Sequence, residues 1–247
     1  MTHLQGKRVL ITGGGSGIGA DMAMAFAENG AKVTIVGRRK AALQAVANQH
    51  SQLDFAVADV SDEAAMVTLF ENLGGVDIVI ANAGAAESAP FAKTSFEQWQ
   101  RMLNVNLSGV FLTLREGLKQ LNDGGRMIAV ASTAGLKGYA YVGAYCAAKH
   151  GVVGLVRALA AETATRNMTI NALCPGFTDT PLLAASVDNI VAKTGQSAAQ
   201  ATSHFQSTNP TGRLVTPAEV TATALWLCGP NSSAINGQAI SISGGEV

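Results

Sequence analysis

The stretch K-R-V-L-I-T-G-G-G-S-G-I-G, residues 7–19, decides the fold of this chain. Lys7–Thr12 is a short run of apolar and β-branched residues, which is typical of a buried parallel strand. It stops in a glycine cluster, and an amphipathic helical pattern follows directly. A strand, a glycine turn and a helix form the first half of a βαβ unit. Lys32–Val36 predicts the second strand and Ala41–Gln49 the next helix.

The same alternation continues along the rest of the chain. It predicts further strands at 53–58, 76–81, 126–131, 168–173 and 238–242, and further helices at 62–73, 95–121, 141–165 and 216–228. Strands that alternate with crossover helices build a doubly wound parallel sheet. The sequence therefore predicts a single α/β domain over residues 1–247, with about seven parallel strands and helices on both faces.

One segment, Phe177–Asn209, interrupts this alternation. It is rich in Ala, Ser and Thr and has only weak helical patterning. A connection of this length in an α/β domain is usually functional, often an active-site lid. We predict a substrate lid over 177–209, with a passive surface insertion as the alternative. Two interpretations stay open for its apolar residues, a pocket wall or packing of the lid onto the core: Phe177, Leu182, Leu183 and Phe205.

Composition limits the classes of protein that the chain can belong to. Apolar residues make up 48% of the 247 residues and charged residues 14%, and 17 basic residues balance 17 acidic ones. Without a run of like charge, we expect no nucleic-acid or membrane partner. The sequence opens without a signal-peptide pattern, so we expect a cytoplasmic protein. Cys146, Cys174 and Cys228 stand in apolar contexts and are interpreted as buried free thiols, with no metal site expected.

The glycine turn predicts a nucleotide cofactor. Gly13, Gly17 and Gly19 have the spacing G-x-x-x-G-x-G and lie where a strand leads into a helix. Glycine permits a tight turn there and lets backbone N–H groups approach a pyrophosphate at the positive helix end. Ser16 and Ile18 lie in the same turn and belong to the predicted cofactor site.

The end of the second predicted strand bears on which cofactor binds. An acidic residue there would hold a ribose 2′-hydroxyl, whereas arginine accommodates a 2′-phosphate. The chain has Arg38 and Arg39 and no carboxylate at this point. Two guanidinium groups can hold a phosphate by forked hydrogen bonds. The sequence therefore favours NADP(H) over NAD(H), and a solvated basic helix start is the alternative.

Three more loops follow predicted strands at the edge where open α/β sheets bind ligands. We expect Asp59-Val60 to contact the adenine amino group, Asn82-Ala83-Gly84 to pass beneath the ribose, and Pro175-Gly176 to flank the nicotinamide. Each of these loops could equally be a simple turn.

A serine, a tyrosine and a lysine supply the predicted chemistry. Ser132 ends a predicted strand, and Tyr145 and Lys149 lie four residues apart on one face of a predicted helix. An ammonium one turn away favours the phenolate, so we expect Lys149, together with the positive ring of the cofactor, to lower the pKa of Tyr145. Tyr145 would then exchange a proton with an alcohol or carbonyl oxygen that Ser132 holds in place.

The whole constellation resembles the short-chain dehydrogenase/reductase family along essentially the entire chain. The matching motifs are T-G-G-G-S-G-I-G at 12–19, D-V at 59–60, N-A-G at 82–84, N-V-N at 104–106, Ser132, Y-C-A-A-K at 145–149 and P-G-F-T-D-T at 175–180. The resemblance implies a Rossmann-type fold and a nicotinamide dinucleotide, with Ser132, Tyr145 and Lys149 as catalytic residues.

The resemblance also implies features that the residues alone do not give. It implies that Asn106 holds a water that relays protons to Lys149, although Asn106 could simply be a polar residue inside a helix. It implies that Thr178 and Thr180 lie near the nicotinamide carboxamide. It further implies a homotetramer that buries the helices predicted at 95–121 and 141–165 against partner subunits.

The substrate is the least determined feature. The chain looks similar both to 3-hydroxybutyrate dehydrogenases and to 3-oxoacyl-thioester reductases. The resemblance to 3-hydroxybutyrate dehydrogenases implies that their carboxylate-binding polar residues would fall near Ala86, Ala134 and Val142. None of these three can bind a charge, so we do not expect a small free acid.

We therefore predict an NADP(H)-preferring oxidoreductase that interconverts a secondary alcohol and a ketone, such as a 3-oxoacyl thioester. One alternative is an NAD-dependent hydroxyacyl or secondary-alcohol dehydrogenase that works in the oxidative direction. A second is a non-catalytic dinucleotide sensor, which would be expected to lack the serine, the tyrosine or the lysine.

Overall fold

Seven parallel strands form one sheet in the order β3-β2-β1-β4-β5-β6-β7. The structure is a computed structural model that describes residues 3–247, so residues 1 and 2 of the predicted domain lie outside the described residues. The strands are β1 (Arg8–Thr12), β2 (Lys32–Gly37), β3 (Leu53–Val57), β4 (Val76–Ala81), β5 (Leu121–Val130), β6 (Thr169–Pro175) and β7 (Ala239–Ile242). The strand order reverses between β1 and β4, and ligands of such sheets bind at the carboxyl end of this switch point.

Helices cover both faces of the sheet, which confirms the predicted doubly wound fold. They are α1 (Gly17–Glu28), α2 (Lys40–Ala47), α3 (Glu63–Leu73), α4 (Phe96–Leu103), α5 (Gly109–Gln120), α6 (Gly143–Glu162), α7 (Pro181–Thr194), α8 (Ala198–Thr208) and α9 (Pro217–Leu227). Helices α1, α2 and α9 share an apolar cluster on one face. Helices α3, α5 and α6 share the cluster on the other face.

The central strands are apolar at nearly every position because both faces of the sheet are covered. Leu10 points into one cluster and its neighbour Ile11 into the other, and both are fully buried. Val79 and Ile80 of β4 divide in the same way. Successive side chains of a strand point to opposite faces, so a strand covered on both sides needs apolar residues at every position.

The helix predicted at 95–121 contains an interruption that the sequence did not predict. A π-helical turn, Asn104–Ser108, separates α4 from α5. Asn106 lies in this turn, and its side chain bonds both to the helix backbone at Met102 and to the loop at Ala85. The helix predicted at 141–165 begins only at Gly143, because Tyr141 has a left-handed backbone with φ of 69°.

The predicted lid is more regular than its weak patterning indicated. It consists mainly of α7 and α8, with Thr180 capping α7 and a Ser197–Gln200 capping box at the start of α8. Its base is held by two backbone hydrogen bonds of 2.9 Å, from Asp179 N to Val215 O and from Val215 N to Phe177 O.

Candidate active site

The glycine turn has a geometry that requires glycine at two positions. Gly13 has φ of 70°, a left-handed conformation that side chains rarely adopt. At Gly19 an added Cβ would collide with the Gly13 carbonyl oxygen. Ser16 precedes α1 but makes no side-chain cap, so the first N–H groups of α1 stay available for an anion. The turn therefore has the form of a phosphate-binding site.

Two exposed arginines border this turn. Arg39 Nη2 donates to the Ser16 hydroxyl at 3.4 Å, and Arg38 Nη1 lies 3.7 Å from Asp59 Oδ2. Partial burial raises the pKa of Asp59, but hydrogen bonds from Ser61 and the Arg38 charge outweigh it, so the pKa of Asp59 is lowered. Asp59 is thus ionised at neutral pH, and the two guanidinium groups lie where β2 ends.

The loop after β4 is tied to the glycine turn. Asn82 Nδ2 donates to Thr12 O at 2.9 Å, and the backbone N–H groups of Asn82 and Ala83 donate to the Thr12 hydroxyl at 3.0 and 3.1 Å. Asn82 therefore holds two cavity walls together. A Cβ added at Gly84 would lie 2.9 Å from Asn106 Oδ1 and 3.8 Å from Lys149 Nζ, so Gly84 lies close to both groups.

Ser132, Tyr145 and Lys149 converge on the same cavity. Ser132 follows β5, and its hydroxyl accepts from Ala134 N at 3.1 Å. Tyr145 and Lys149 lie one turn apart on α6, with Lys149 Nζ 5.6 Å from the centre of the Tyr145 ring. Lys149 is buried, and its Nζ donates to Val130 O at 2.8 Å. The structure thus brings together the three residues that the sequence predicted to meet.

The protonation states of Tyr145 and Lys149 in the chain alone follow from their burial. Burial raises the pKa of Tyr145 to about 12, although hydrogen bonding with Ser132 acts in the opposite direction. Burial lowers the pKa of Lys149 to about 8. In the chain alone desolvation favours both neutral forms, so the lowered pKa of Tyr145 stays a prediction for the complex with the cofactor. Tyr145 is a protonated phenol at neutral pH.

Asn106 is fully buried and links the π-helical turn to the loop after β4. Its Nδ2 donates to Ala85 O at 2.9 Å and to Met102 O at 3.0 Å, and its Oδ1 accepts from Ala85 N at 3.1 Å. It is therefore more than a polar residue inside a helix, because it fixes the loop that approaches Lys149. Single π-helical turns occur frequently at functional sites.

One cavity of about 1700 Å³ connects these groups. It is larger than the roughly 300–1000 Å³ of a typical small-molecule site, so a dinucleotide and a substrate can occupy it together. Every residue of the predicted site lines it except Gly19, which packs behind Gly13: Gly13, Ser16, Gly17, Ile18, Arg38, Arg39, Asp59, Val60, Asn82, Ala83, Gly84, Asn106, Ser132, Tyr145, Lys149, Pro175, Gly176, Thr178 and Thr180.

The two lid threonines make local hydrogen bonds beside the glycine turn. Thr178 Oγ1 donates to Gly176 O at 2.9 Å and Thr180 Oγ1 donates to Thr178 O at 3.3 Å. A Cβ added at Gly17 would lie 3.2 Å from Thr180 Cγ2. The start of the lid therefore packs directly against the glycine turn, and both threonines line the cavity.

Apolar residues form part of the cavity wall, and polar residues such as Glu87, Lys193 and His204 also line it. Ala86, Ala134 and Val142 all line it, and none of them can bind a carboxylate. Leu183 and Phe205 belong to a separate apolar cluster between the lid helices, and Phe177 packs against that cluster. These residues also line the cavity. Phe177, Leu183 and Phe205 thus form part of the cavity wall, and they pack in a cluster of their own and not in the two clusters of the sheet core. Leu182 also lines the cavity and is 44% exposed.

The sequence analysis missed Tyr139, which also lines the cavity. Its hydroxyl lies 2.6 Å from Glu246 Oε1, a carboxylate 107 positions away along the chain. The aromatic residue in the loop after Ser132 was a usable signal. No sequence pattern indicates its partner.

Two absences hold for residues 3–247. No helix in that range is long and apolar enough to cross a membrane. No group of three or more His, Cys, Asp or Glu side chains in it could hold a metal ion. Cys146, Cys174 and Cys228 are buried free thiols, as predicted.

Comparison with known proteins gives the family. The model of the short chain dehydrogenase family matches residues 7–191. The D-beta-hydroxybutyrate dehydrogenase of Cupriavidus necator is 37% identical over 99% of each chain, and the acetoacetyl-CoA reductase of an Acinetobacter species is 31% identical over 97% of each chain. A crystal structure of an actinorhodin polyketide ketoreductase variant with NADPH has a TM-score of 0.89 at 31% identity, covering 100% of this chain and 99% of that one.

These similarities confirm the predicted reaction class, the NAD(P)(H)-dependent interconversion of an alcohol and a ketone. They agree with the fold, the glycine turn and the convergence of Ser132, Tyr145 and Lys149. The chain belongs to the short-chain dehydrogenase family.

Proposed function

We propose that this chain is an NADP(H)-preferring ketone reductase in which Tyr145 donates the proton. The observation that carries the proposal is the convergence of Tyr145, Ser132 and Lys149 on one cavity that continues to the glycine turn. A phenol whose pKa is raised to about 12 holds its proton at neutral pH. The phenol therefore has a proton to give, and a protonated Lys149 close by would lower the cost of giving it, since an ammonium favours the phenolate.

The residues divide the work of reduction. The bound dinucleotide supplies the hydride. Ser132 hydrogen-bonds the carbonyl oxygen, and Tyr145 gives that oxygen its proton. Lys149, protonated at its Nζ, stabilises the phenolate that remains, because an ammonium close by favours the charged form. Asn106 fixes the loop at Ala85 next to Lys149 and would hold a water that returns a proton.

The cofactor preference rests on Arg39 and Ser16. Their side chains already contact each other at the end of β2, and both line the cavity. Together with Arg38 they offer charge-assisted hydrogen bonds to a 2′-phosphate, and the end of β2 carries no carboxylate that would repel it. The related ketoreductase was solved with NADPH, which supports this preference.

We propose an uncharged ketone, such as a 3-oxoacyl thioester, as the substrate class. The apolar residues Ala86, Ala134 and Val142 on the cavity wall support this substrate class. So does the similarity to an acetoacetyl-CoA reductase, whose substrate is an acyl thioester with a keto group. The segment 177–209 would act as the lid over this ketone. An initial-rate screen of aliphatic, aryl, cyclic and acyl-thioester ketones with NADPH and NADH tests the proposal. We expect turnover of an uncharged ketone with higher kcat/KM for NADPH; catalytic efficiency equal or better with NADH would overturn the cofactor preference.

The similarity to a D-beta-hydroxybutyrate dehydrogenase favours a second candidate, an NAD-dependent dehydrogenase of a hydroxy acid. Oxidation of 3-hydroxybutyrate with NAD⁺ at higher kcat/KM than any ketone reduction would establish it. Tight NADP(H) binding with no turnover in either direction would instead indicate a dinucleotide sensor.

Two further predictions remain proposals. We expect a homotetramer, supported by the exposed Phe96 on α4 and Phe111 on α5, which are 68% and 42% exposed in the single chain. Light scattering during gel filtration tests it, and a monomer at micromolar concentration would contradict it. We also expect the protein in the cytoplasm, which fractionation of cells that express it would test.

A further inference from the structure

A buried carboxylate lies behind the ketone side of the cavity. Glu246 follows β7, and its side chain is only 2% exposed. Its Oε1 lies 2.6 Å from Tyr139 Oη and 3.0 Å from Lys137 Nζ. Its Oε2 is buried and has no hydrogen-bond partner within residues 3–247. Removing a carboxylate from water is unfavourable unless its charge is compensated, so its two partners are held firmly to it.

The hydrogen bonds around Tyr139 have a definite direction. Tyr139 Oη lies 2.6 Å from both Glu246 Oε1 and Thr133 Oγ1. A phenol has one proton and a carboxylate only accepts, so Tyr139 donates to Glu246 and receives the Thr133 proton. A 2.6 Å bond to an ionised acceptor belongs to the strong class of protein hydrogen bonds. Tyr139 is therefore fixed at its hydroxyl by two groups outside the lid.

Tyr139 begins a row of aromatic rings that reaches the lid. Its ring meets Phe177 edge-on, with ring centres 5.7 Å apart at an angle of 77°. Phe177 in turn lies 4.7 Å from the ring centre of Phe205 on α8. All three rings line the cavity that contains Tyr145. Edge-to-face contacts of this kind depend on the orientation of each ring, so fixing the first ring orders the others.

We propose that Glu246 is a positioning residue of the ketone site, which holds Tyr139 so that Tyr139, Phe177 and Phe205 form one ordered wall beneath the lid. The inference rests on the proposed function, since this wall binds substrate only if the cavity takes a ketone. The wall suits ketones with a flat apolar group, because aromatic faces and edges pack well against such groups.

Tyr139 does not compete with Tyr145 as a proton donor. Burial and the neighbouring Glu246 charge raise the pKa of Tyr139 far above its ordinary value, since both disfavour the phenolate. Tyr139 keeps its proton, which it donates in the hydrogen bond to Glu246. Its role is to hold its own ring in a fixed orientation.

Three variants test the positioning role: E246A, E246Q and Y139F. E28Q is the control, because it removes a carboxylate charge at an exposed residue. For E246A and Y139F we expect KM for an accepted aryl ketone to rise about three- to tenfold, the size of effect expected from one typical hydrogen bond. We expect kcat to change less than about twofold and NADPH affinity to stay unchanged. E246Q keeps an acceptor for Tyr139 and should fall between E246A and the wild type, while E28Q should match the wild type.

Amide hydrogen exchange gives a second readout that needs no substrate. We expect α7 and α8 to exchange about three- to tenfold faster in E246A and Y139F, with β1 and α6 unchanged. If ketone KM and lid exchange of both variants stay within twofold of the wild type, the inference is wrong. If E246A fails to fold, Y139F still decides the matter, because it retains the ring and the carboxylate.

The same experiment separates this inference from the proposed function. A wild-type protein that reduces no ketone in the panel would overturn the proposed function, and with it the claim that the wall binds a ketone. Unchanged lid exchange in an active enzyme would overturn only the role of Glu246.

Discussion

The cofactor side of the cavity and the proposed lid, residues 177–209, are held in place in different ways. The glycine turn and Ser132 follow strands β1 and β5, and Lys149 lies on helix α6. Residues of these elements fill the two large apolar clusters of the sheet. The lid has its own cluster of four buried residues, Leu183, Val187, Ala201 and Phe205. Across the cavity mouth, Asn189 Nδ2 of α7 donates to the Ser88 hydroxyl at 3.2 Å.

The difference indicates where rigidity and adaptability lie. Groups that move a hydride and a proton need a fixed geometry, and the sheet core supplies it. A segment with a small cluster of its own opens at a lower free energy than the core, as substrate lids must. We infer that the core side of the cavity sets the chemistry and the lid sets the choice of ketone.

Replacing one buried phenylalanine in each region should separate them most clearly. Phe26 is fully buried in the sheet core and Phe205 lies in the lid cluster. We expect F26A to lower the free energy of unfolding by about 3–5 kcal/mol. F205A should change the main transition by less than about 1 kcal/mol, while ketone KM and hydrogen exchange of 181–208 rise. Denaturant unfolding measures both, and equal losses would show that the lid is part of the core.

A methyl group on the glycine turn should damage only the cofactor side. G19A places a Cβ against the Gly13 carbonyl oxygen, and overpacking of this kind costs about 1–3 kcal/mol. We expect NADPH to bind about 10- to 100-fold more weakly in a fluorescence titration. G154A is the matched control, since nothing lies within 4 Å of a Cβ on that residue of α6. Unchanged NADPH affinity in G19A would contradict the assigned role of the turn.

Removing one guanidinium should change the cofactor preference by a smaller factor. We expect R39A to weaken NADPH about tenfold and NADH little, since a hydrogen bond to a charged group contributes about 1.5–3 kcal/mol. K40A removes a neighbouring positive charge that does not line the cavity, so it should leave the NADPH-to-NADH ratio unchanged. Equal losses for both cofactors in R39A would argue against a 2′-phosphate site.

The smallest expected effect is a shift in melting temperature when the buried Lys149 is replaced. Burial lowers the pKa of Lys149 from 10.5 to about 8, so the folded chain binds this proton less tightly than the unfolded chain. The charge therefore opposes folding below pH 8, and this penalty fades as the pH rises from 8 towards 10.5. We expect K149M to melt about 2–4 °C higher than the wild type at pH 7, after allowing for its lost bond to Val130.

Calorimetry at several pH values checks this, with the exposed Lys40→Met as control. The gap in Tm between K149M and the wild type should close between pH 8 and 10.5. A wild type that is more stable than K149M at pH 7 would show that Lys149 is not destabilised by burial.

The sequence predicted those features that local patterns determine. Strands buried on both faces are continuous apolar runs, so the sequence predicted the fold. A glycine turn between a strand and a helix is typical of a nucleotide site, so the sequence also predicted which edge of the sheet binds the cofactor. Tyr145 and Lys149 followed from helical spacing alone. The capping signals Thr180-Pro181 and Ser197 to Gln200 were also present in the lid, and their use would have predicted both lid helices.

Other features depend on contacts that no local pattern records. The π-helical turn at Asn106 exists together with side-chain bonds to a loop about 20 residues earlier in the chain. The high pKa of Tyr145 results from desolvation in the assembled cavity. Glu246 and Tyr139 meet only because β7 lies beside β6 and the chain after it returns to the loop that follows Ser132.

The central claim is that Tyr145 transfers the proton in a ketone reduction. It is tested most directly by comparing wild type and Y145F for NADPH oxidation at saturating ketone, with NADPH binding measured in parallel. Loss of the proton donor should lower kcat about 100- to 10,000-fold. NADPH affinity should stay within about threefold, since the glycine turn and Arg39 are untouched. Full turnover by Y145F would contradict the account.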